Sequence, residues 1–428
     1  MGMKRAKGRG LRVSAVAAVS SLALLAAGCG GGSGGDDTVE LRYSWWGNAD
    51  RAEMMQQAID LFEEKNPNIT VTPTFSEYQT YWEKLATEAA GGGAPDVLQM
   101  DFSYLREYAD KGVLLDLNEQ TGSNLNVSDL LDRFSGAGVI EEARYAVPIG
   151  GNTFALFYDP TTFEEAGATM PEQGWTWEDY DEAIRTVSDS VEGDFYGGSD
   201  YTGLIWVLQL QLRQEGGQLF TEDGQLGFDE QRLAEFWAST EDMRGEAMVP
   251  MSKVVQAKPV SPIGAGLSAS EFSWDNFLAR FEAETDTEVA LAPVPTTGSG
   301  RSGQYLKPSL MLSASSDTEY PEEAAMLIDF MINDPEVAEI FGGSRGIPAT
   351  TTQREAANLN ETDQAIADYE DARMDQLEDL PPAPPAGAGA LETEFIRISE
   401  EVSFGEVSPE EAAAQFFDFA EDTLSNQG

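Results

Sequence analysis

The hydrophobic pattern changes period soon after residue 38. Residues 38–46, "TVELRYSWW", alternate apolar and polar positions, which predicts a β-strand. The next apolar positions have helical spacing and form one stripe: Met54, Ala58, Leu61 and Phe62. Asp50 with Glu53 predicts the start of this helix, and Asn66-Pro67 predicts its end. In the strand, only one of Trp45 and Trp46 points into the core, and we expect it to be Trp45.

A second strand, a second helix and a third strand follow. The second strand alternates through residues 69–75, and Pro73 favours a place at a sheet edge. Ser76 with Gln79 predicts a capping box that opens a helix ending near Ala90. "GGGAPDVLQMD" then runs from a glycine turn into a short buried strand. Strands separated by helices predict a mostly parallel sheet with helices on both faces.

The remaining pattern is long enough for a second lobe. About 400 residues exceed one ordinary domain. The apolar run 152–158 predicts a central strand. Further helices are predicted at 201–215, 229–244 and 272–283, and again in "YPEEAAMLIDFMIN" and "DPEVAEIFGG". The fold class predicted from this order is α/β.

The amino terminus has the pattern of a lipoprotein signal peptide. Basic residues precede an apolar run, Val13–Ala27, that is short for a membrane span and typical of a signal core, so residues 1–28 are predicted to be removed. Leu25–Cys29 resembles a lipobox, which predicts lipidation at Cys29, with residues 29–37 as a flexible Gly/Ser tether. An ordinary cleaved signal with a chance cysteine is the alternative. Cys29 is the only cysteine, so no intrachain disulfide forms.

Charge and composition exclude several function classes. The formal net charge is −49, and removal of residues 1–28 leaves 21 basic against 75 acidic residues, or −54. Such a surface repels nucleic acid and anionic lipid, so we expect no nucleic-acid partner and a membrane attachment made by the lipid alone. The chain has no histidine, which removes His-dependent triads and most zinc sites. We therefore expect no metal and no cofactor.

An ordered set of segments resembles one family. The set includes "FEEKNPNITV", "YWEKLATEAAGGGAPDVLQMD", "YADKGVLLDL", "YAVPIGGNTFALFYD", "TWEDYDEA" and "FMINDPEVAEIFGGSRGIPAT". Together with the lipobox and tether they resemble the extracellular solute-binding proteins of bacterial ABC importers, in the carbohydrate-binding, maltose-binding-protein-like group. The resemblance covers nearly the whole mature chain and does not identify the sugar.

That resemblance implies a two-lobed fold with a ligand cleft between the lobes and a hinge of several chain segments. By analogy, lobe 1 comprises 38–148 plus 294–346, and lobe 2 comprises 149–293 plus 347–428. It also implies a carbohydrate ligand, an ABC permease partner and a lipid-anchored position outside the cell membrane. We expect a monomer that binds and does not catalyse.

The chemistry of a pyranose selects candidate residues from the first part of the chain. Its C–H faces need aromatic rings, and its hydroxyls need amides, carboxylates or a cation. Candidates at predicted strand ends and helix starts are Trp46, Asn48, Tyr78, Asp101 and Asn152. Packing between strand and helix is the alternative for Trp46, and helix capping is the alternative for Asp101. Gly150 and Gly151 are expected to let the backbone approach a ligand.

Candidates from the rest of the chain complete the predicted cleft. They are Trp206, Trp274, Asn276, Lys307 and Arg345. Trp274 follows a Gly/Ser loop at a predicted helix start, which favours the cleft, whereas Trp206 lies on a mostly apolar helix and could be core. Arg345 and Lys307 are each as consistent with a structural salt bridge as with a ligand contact.

Two other functions remain open from the sequence. A secreted glycoside hydrolase needs only two carboxylates and no histidine. The same fold could also bind a peptide, a polyamine or an anion.

Overall fold

A computed structural model describes residues 38–191, 193–221 and 223–425 of the chain. The predicted signal peptide, Cys29 and the tether lie outside the described residues. The described part forms two lobes, each built around its own sheet and hydrophobic core.

The strands belong to two main sheets and one short hairpin. They are β1 (Val39–Trp46), β2 (Ile69–Ser76), β3 (Val97–Met100), β4 (Val139–Ile140), β5 (Ala143–Arg144), β6 (Val147–Asn152), β7 (Phe154–Tyr158), β8 (Ser270–Trp274), β9 (Ala290–Ala292), β10 (Lys307–Ala314) and β11 (Ile347–Pro348). The first sheet has the order β11-β6-β10-β3-β1-β2, and the second has the order β8-β7-β9. β4 and β5 form the hairpin.

Helices cover these sheets. They are α1 (Ala49–Lys65), α2 (Tyr78–Ala90), α3 (Phe102–Asp110), α4 (Pro160–Ala166), α5 (Trp177–Ser190), α6 (Ile205–Gln214), α7 (Glu230–Ala238), α8 (Met251–Ala257), α9 (Leu278–Glu284), α10 (Pro321–Asn333), α11 (Pro335–Phe341), α12 (Thr351–Ala356), α13 (Glu361–Asp371), α14 (Ala388–Ser403) and α15 (Pro409–Ser425). No helix among the described residues is long and apolar enough to cross a bilayer.

The first sheet is mixed, so the prediction of a mostly parallel sheet is wrong. β1 pairs in parallel with β2 and with β3, as the βαβ pattern requires, and β2 lies at the edge as Pro73 predicts. The other three pairings are antiparallel, because β10 and β11 belong to segments that come back from the second sheet. The expectation of parallel pairing applies only to strands that are joined by a crossover helix.

The second sheet is antiparallel and buried on both faces. Along β7, Phe154 and Leu156 face the larger core, whereas Ala155 and Phe157 face a smaller cluster with α9 and α13. The apolar run 152–158 is therefore a central strand only from Phe154 onward, since Asn152 ends β6 in the first sheet.

Local capping differs from the predicted pattern at two helix starts. Asn48 caps α1, and its side-chain oxygen accepts from Arg51 N at 2.9 Å. The capping box at Ser76 and Gln79 is wrong, because Ser76 ends β2 and α2 begins at Tyr78 without a side-chain cap.

The predicted helices of the second lobe are shorter than expected. Residues 272–274 belong to β8, because they pair with β7, and α9 begins only at Leu278. α7 ends at Ala238 and not at 244. Pairing with a neighbouring strand overrides the local helical spacing at 272–274.

The chain passes between the sheets at Thr153. Thr153 N donates to Asp275 Oδ2 at 2.7 Å, and Asp275 N donates to Thr153 O at 2.9 Å. The next carbonyl, Phe154 O, accepts from Gln304 Nε2 at 2.6 Å and from the Tyr369 hydroxyl at 3.0 Å. Four chain segments are thus tied together at this crossing. The lobe limits given above stay a prediction.

The two glycines before the crossing face protein atoms and not open space. A Cβ on Gly150 would lie 2.9 Å from the carbonyl oxygens of Arg345 and Ile347. A Cβ on Gly151 would lie 2.5 Å from the ring of Phe134. The expectation that these glycines leave room for a ligand is wrong, because β11 and the lobe 1 core fill that room.

Candidate functional site

An aromatic cluster lies where β1 meets α2. Trp46 is 9 % exposed, and the rings of Tyr78, Tyr81 and Trp82 surround it at centroid distances of 5.3, 5.2 and 5.6 Å. Trp45 lies in the core on the other face of β1. Tyr78 covers Trp46 and is itself 39 % exposed. Tyr78 is thus the ring of this cluster that the fold leaves most open to a ligand.

Asp101 lies beside this cluster at the end of β3. Its Oδ1 accepts from Ser103 N at 2.8 Å, so Asp101 caps α3. Capping occupies one carboxylate oxygen and leaves the half-buried group close to Tyr78 and Tyr104. Burial raises the pKa of Tyr78, and the nearby Asp101 raises it further. The Asp101 carboxylate is therefore near enough to Tyr78 to share a ligand with it.

A second aromatic surface combines two tryptophans of the second lobe with a lysine at the crossing. Trp206 on α6 and Trp274 at the end of β8 make an edge-to-face pair with centroids 5.6 Å apart. Lys307 Nζ lies 5.5 Å from the Trp206 ring and 5.0 Å from the Trp274 ring. Both tryptophans are half-buried, so each has a ring face that is only partly covered.

Glu392 on α14 connects the two aromatic groups. Its Oε1 accepts from Trp206 Nε1 at 3.0 Å. Burial raises the pKa of Glu392, while Lys307 and the Trp206 hydrogen bond lower it and Asp101 raises it. Glu392 also raises the pKa of Tyr78. Phe102 and Ser103, which follow Asp101, line the same cavity as Trp206 and Glu392, so the two surfaces border a common space.

A narrow cavity continues from this site below the proline-rich segment. Phe102, Trp206, Tyr305, Pro381 and Glu392 contribute to its walls. Its volume of about 30 Å³ holds roughly two waters and is far below the 300 Å³ or more of a typical ligand pocket. A ligand that needs a pocket of ordinary size enters only when the two surfaces separate.

Asn152 and Lys307 lie together at the crossing. The two residues are paired in register between β6 and β10. Asn152 is 8 % exposed, and its side-chain oxygen has no hydrogen-bond partner among the described residues. Asn276, in contrast, is exposed on the turn after β8, and Asn48 is occupied as the cap of α1.

Arg345 is buried in lobe 1. It is 4 % exposed, and its guanidinium lies 3.6 Å from the Phe341 ring centroid. It forms no salt bridge with any described carboxylate, so the salt-bridge alternative for Arg345 is wrong. Lys307 likewise has no salt bridge among the described residues and lies over the two tryptophans.

Sequence reasoning missed Glu392, Tyr104 and Tyr305. Tyr104 stacks on Trp82 with centroids 4.0 Å apart, and Tyr305 lies 6.0 Å from Trp274. The helical spacing around Trp82 could not predict its contact with Tyr104, because Tyr104 lies on another helix. Glu392 follows a Pro/Ala/Gly turn at the start of a helix, and that position was the one available signal.

A buried carboxyl pair supports the crossing from behind. Asp275 and Glu370 are both fully buried, and each carboxyl group shifts the pKa of the other. Burial raises the pKa of Glu370 to about 8, with Arg354 opposing the rise, and burial likewise raises the pKa of Asp275. Two carboxyl groups in contact cannot both ionise cheaply, so the pair retains a proton near neutral pH. This pair belongs to the crossing and not to the aromatic site.

Comparison with known proteins identifies the family. The family model described as "Bacterial extracellular solute-binding protein" matches residues 47–338, which is more than half of the chain. The chain belongs to this family. The two sheets joined at Thr153 are accordingly the two lobes of a periplasmic solute-binding fold, as the sequence resemblance implies.

Other members of the family resemble this solute-binding protein over most of their length. A lipoprotein encoded in the oleD 5′ region of Streptomyces antibioticus is 23 % identical over 368 residues, covering 80 % of this chain and 77 % of the relative. The maltodextrin-binding protein MdxE of Bacillus subtilis is 22 % identical over 328 residues, covering 72 % and 74 %. The solved structure of a family 1 extracellular solute-binding protein from Alicyclobacillus acidocaldarius is 29 % identical, with a TM-score of 0.75 over 90 % of this chain and 98 % of that one.

The described residues hold no group of three or more metal-ligating side chains. The side chains at the candidate site supply aromatic faces, two carboxylates, a lysine and an amide.

Proposed function

We propose that the protein captures a neutral mono- or oligosaccharide between its lobes and delivers it to an ABC permease without changing it. One observation carries the proposal. Trp206, Trp274 and Lys307 of one surface face Tyr78 and Asp101 of the other, with Glu392 between them. Aromatic faces suit the C–H patches of a pyranose, and the charged groups suit its hydroxyls.

The charges favour a neutral sugar over an acidic one. Asp101 and Glu392 are both carboxylates, and Lys307 already interacts with Glu392. An acidic sugar would place a further negative charge beside them, in a protein whose net charge is −49. The printed name of the Bacillus subtilis relative, a maltodextrin-binding protein, is consistent with a neutral ligand.

Seven of the ten residues expected from the sequence keep a role at the proposed site, and Glu392 joins them. Tyr78, Trp206 and Trp274 supply ring faces, and Asp101, Glu392 and Lys307 supply polar contacts. Asn152 offers an unpaired side-chain oxygen at the crossing. Trp46 supports Tyr78 from below, whereas Asn48, Asn276 and Arg345 lie where other roles are as well supported.

Lobe closure is part of the proposal. Lobe 1 is assigned to 38–148 plus 294–346 and lobe 2 to 149–293 plus 347–428, and the crossing at Thr153 lies in the hinge between them. A narrow cavity that opens when the lobes separate fits capture by hinge bending.

Lipid anchoring at Cys29 is proposed from the sequence alone. Residues 1–28 would be cleaved, and residues 29–37 would tether the lobes to the extracellular face of the cell membrane. The anchored protein would be a monomer. Fractionation of cells that express Cys29→Ser tests this, because the variant should leave the membrane fraction. Retention of Cys29→Ser in the membrane would contradict the lipid anchor and leave sugar capture untouched.

Titration of the full chain with neutral oligosaccharides, followed by tryptophan fluorescence and calorimetry, tests the capture. We expect one saturable site per chain, a fluorescence change, and sugar recovered intact afterwards. Shortened sugar after the titration would point to a hydrolase instead. No binding by any neutral sugar would overturn the proposal.

A further inference from the structure

A cluster of hydrogen-bond donors lies inside lobe 1, between β1, α1 and the loop that follows α11. Tyr43 is 0 % exposed and Arg345 is 4 % exposed. Arg51 reaches the same loop, since its Nη2 donates to Ser344 O at 2.6 Å. This bond places Arg51 beside the residue that precedes Arg345, and the charges of both arginines lower the pKa of Tyr43.

The donors of this cluster lack acceptors. Among the described residues, Arg345 Nε, Arg345 Nη1 and the Tyr43 hydroxyl have no hydrogen-bond partner. The one bond of the Arg345 side chain is from Nη2 to Met331 O at 3.4 Å, which is long. Buried polar groups in folded proteins are nearly always paired, so three unpaired donors in one place require an acceptor.

The charge of the cluster is not balanced by protein groups. Burial lowers the pKa of Arg345 to about 9, so its guanidinium is still charged at neutral pH. Arg51 adds a second cation and lowers that pKa further, whereas burial raises the pKa of Tyr43, which keeps its hydroxyl neutral. No carboxylate among the described residues affects the pKa of Arg345. A buried cation without an anion is unfavourable, and the Phe341 ring offsets only part of that cost.

We infer that Arg345, Tyr43 and Arg51 bind a small inorganic anion of the halide class inside lobe 1. An anion of this size accepts from the guanidinium and the hydroxyl together and balances the charge. Because Tyr43 and Arg345 are closed to solvent, the site excludes a sugar or its substituents. Arg345 then stabilises lobe 1 and does not contact the solute.

Thermal unfolding of the full chain in chloride and in gluconate, at matched ionic strength, tests this inference. An anion bound only by the folded state raises Tm, by about 2 to 4 °C when it is well above its dissociation constant. We expect this chloride-dependent difference in the native sequence and its loss in Arg345→Met. Methionine keeps the contact with Phe341 and removes the charge and the donors.

A matched control separates the site from a general salt effect on an acidic protein. Arg144 is also buried, but Nη1 and Nη2 donate to Ala137 O and Ser135 O at 3.0 and 2.9 Å. Arg144→Met should therefore keep the chloride dependence. An equal difference between chloride and gluconate in both arginine variants would overturn the anion site.

Tyrosine variants keep the test decisive if Arg345→Met does not fold. Tyr43→Phe removes one unpaired hydroxyl and should reduce the chloride dependence. Tyr81→Phe removes a buried hydroxyl that already donates to Gln99 O at 2.6 Å, and it should not. Crystals grown in sodium bromide give a direct reading. An anomalous peak in contact with Arg345 and Tyr43 supports the site, and a water molecule there overturns it.

Discussion

Asp275 and Glu370 are both fully buried at the crossing between the lobes, where each carboxyl group shifts the pKa of the other. Asp275 also forms two hydrogen bonds with the backbone of Thr153. Glu370 Oε2 accepts two hydrogen bonds from the Arg354 guanidinium, each 3.1 Å long. Asp275 Oδ1 and Glu370 Oε1 have no hydrogen-bond partner among the described residues. A single proton shared by the two carboxyl groups would satisfy both oxygens.

This pair predicts that stability decreases as pH rises. The pKa of Glu370 is raised to about 8 by burial, so between about 4.5 and 8 the folded state holds a proton that the unfolded state releases. The stabilisation that this proton gives the folded state is complete below that pH range and is lost as the pH rises through it. For one proton the slope approaches about 1.4 kcal/mol per pH unit. Glu370→Gln should flatten it, since an amide supplies a permanent N–H to Asp275. Denaturant unfolding from pH 5 to 8 measures the slope.

The control for that experiment removes one negative charge elsewhere. Glu394 lies on the surface of α14 in a salt bridge with Arg397. Glu394→Gln tests whether relief of general repulsion in an acidic protein explains any change. A slope that is the same in Glu370→Gln and in the native sequence would contradict the shared proton.

Trp274→Ala should weaken sugar binding strongly. The substitution removes the Trp274 ring, which packs against Trp206 and is the ring nearer to Lys307. Loss of a central aromatic contact costs about 2 kcal/mol, or roughly thirty-fold in Kd. Trp274→Phe keeps a ring face and should lose less. Calorimetric titration measures both, and equal losses would mean that the ring face is not what the sugar contacts.

Glu392→Gln should change which sugars bind. The amide oxygen still accepts from Trp206 Nε1, but the negative charge beside Asp101 is gone. We expect acidic sugars to gain affinity relative to neutral ones by about tenfold, since one charge contact at partial exposure is worth about 1 kcal/mol or slightly more. Glu394→Gln, on the same helix, should leave the ratio unchanged. Paired titrations with a neutral and a uronic disaccharide give the ratio.

Gly150→Ala should destabilise lobe 1. The added Cβ would lie 2.9 Å from the carbonyl oxygens of Arg345 and Ile347, and backbone atoms there have little freedom to move. Overpacking of this kind costs about 1 to 3 kcal/mol. Gly136→Ala is the control, because a Cβ there has no atom within 4 Å. Urea unfolding compares the two, and similar midpoints would show that β11 moves away easily.

Sequence pattern predicted the elements whose signals are local. The strand ending at Trp46, the helix after it and the edge position of Pro73 follow from periodicity and proline chemistry. Local pattern could not predict that the first sheet is mixed, because the direction of β10 depends on how the chain returns from the other lobe. β8 was mistaken for a helix for the same reason, since its partner β7 lies more than a hundred residues earlier.

The candidate site was predictable by residue type more than by geometry. Trp274 was expected to face the cleft on local grounds, yet its pairing with Trp206 and Lys307 depends on three separate elements. Glu392 was missed because its partner Trp206 lies 186 positions away. Arg345 was expected at the ligand or in a salt bridge, and only the fold places it among buried donors.

Lys307 is the first residue of β10 after the chain returns to lobe 1, directly opposite the last residue of β6 before it leaves. The side chain that lies over both tryptophans therefore lies at the proposed hinge. Atoms close to an axis of rotation move least when two bodies turn about it. In the proposed closure the Lys307 ammonium would accordingly keep almost the same position, and it would offer a solute the same contact before and after the lobes close.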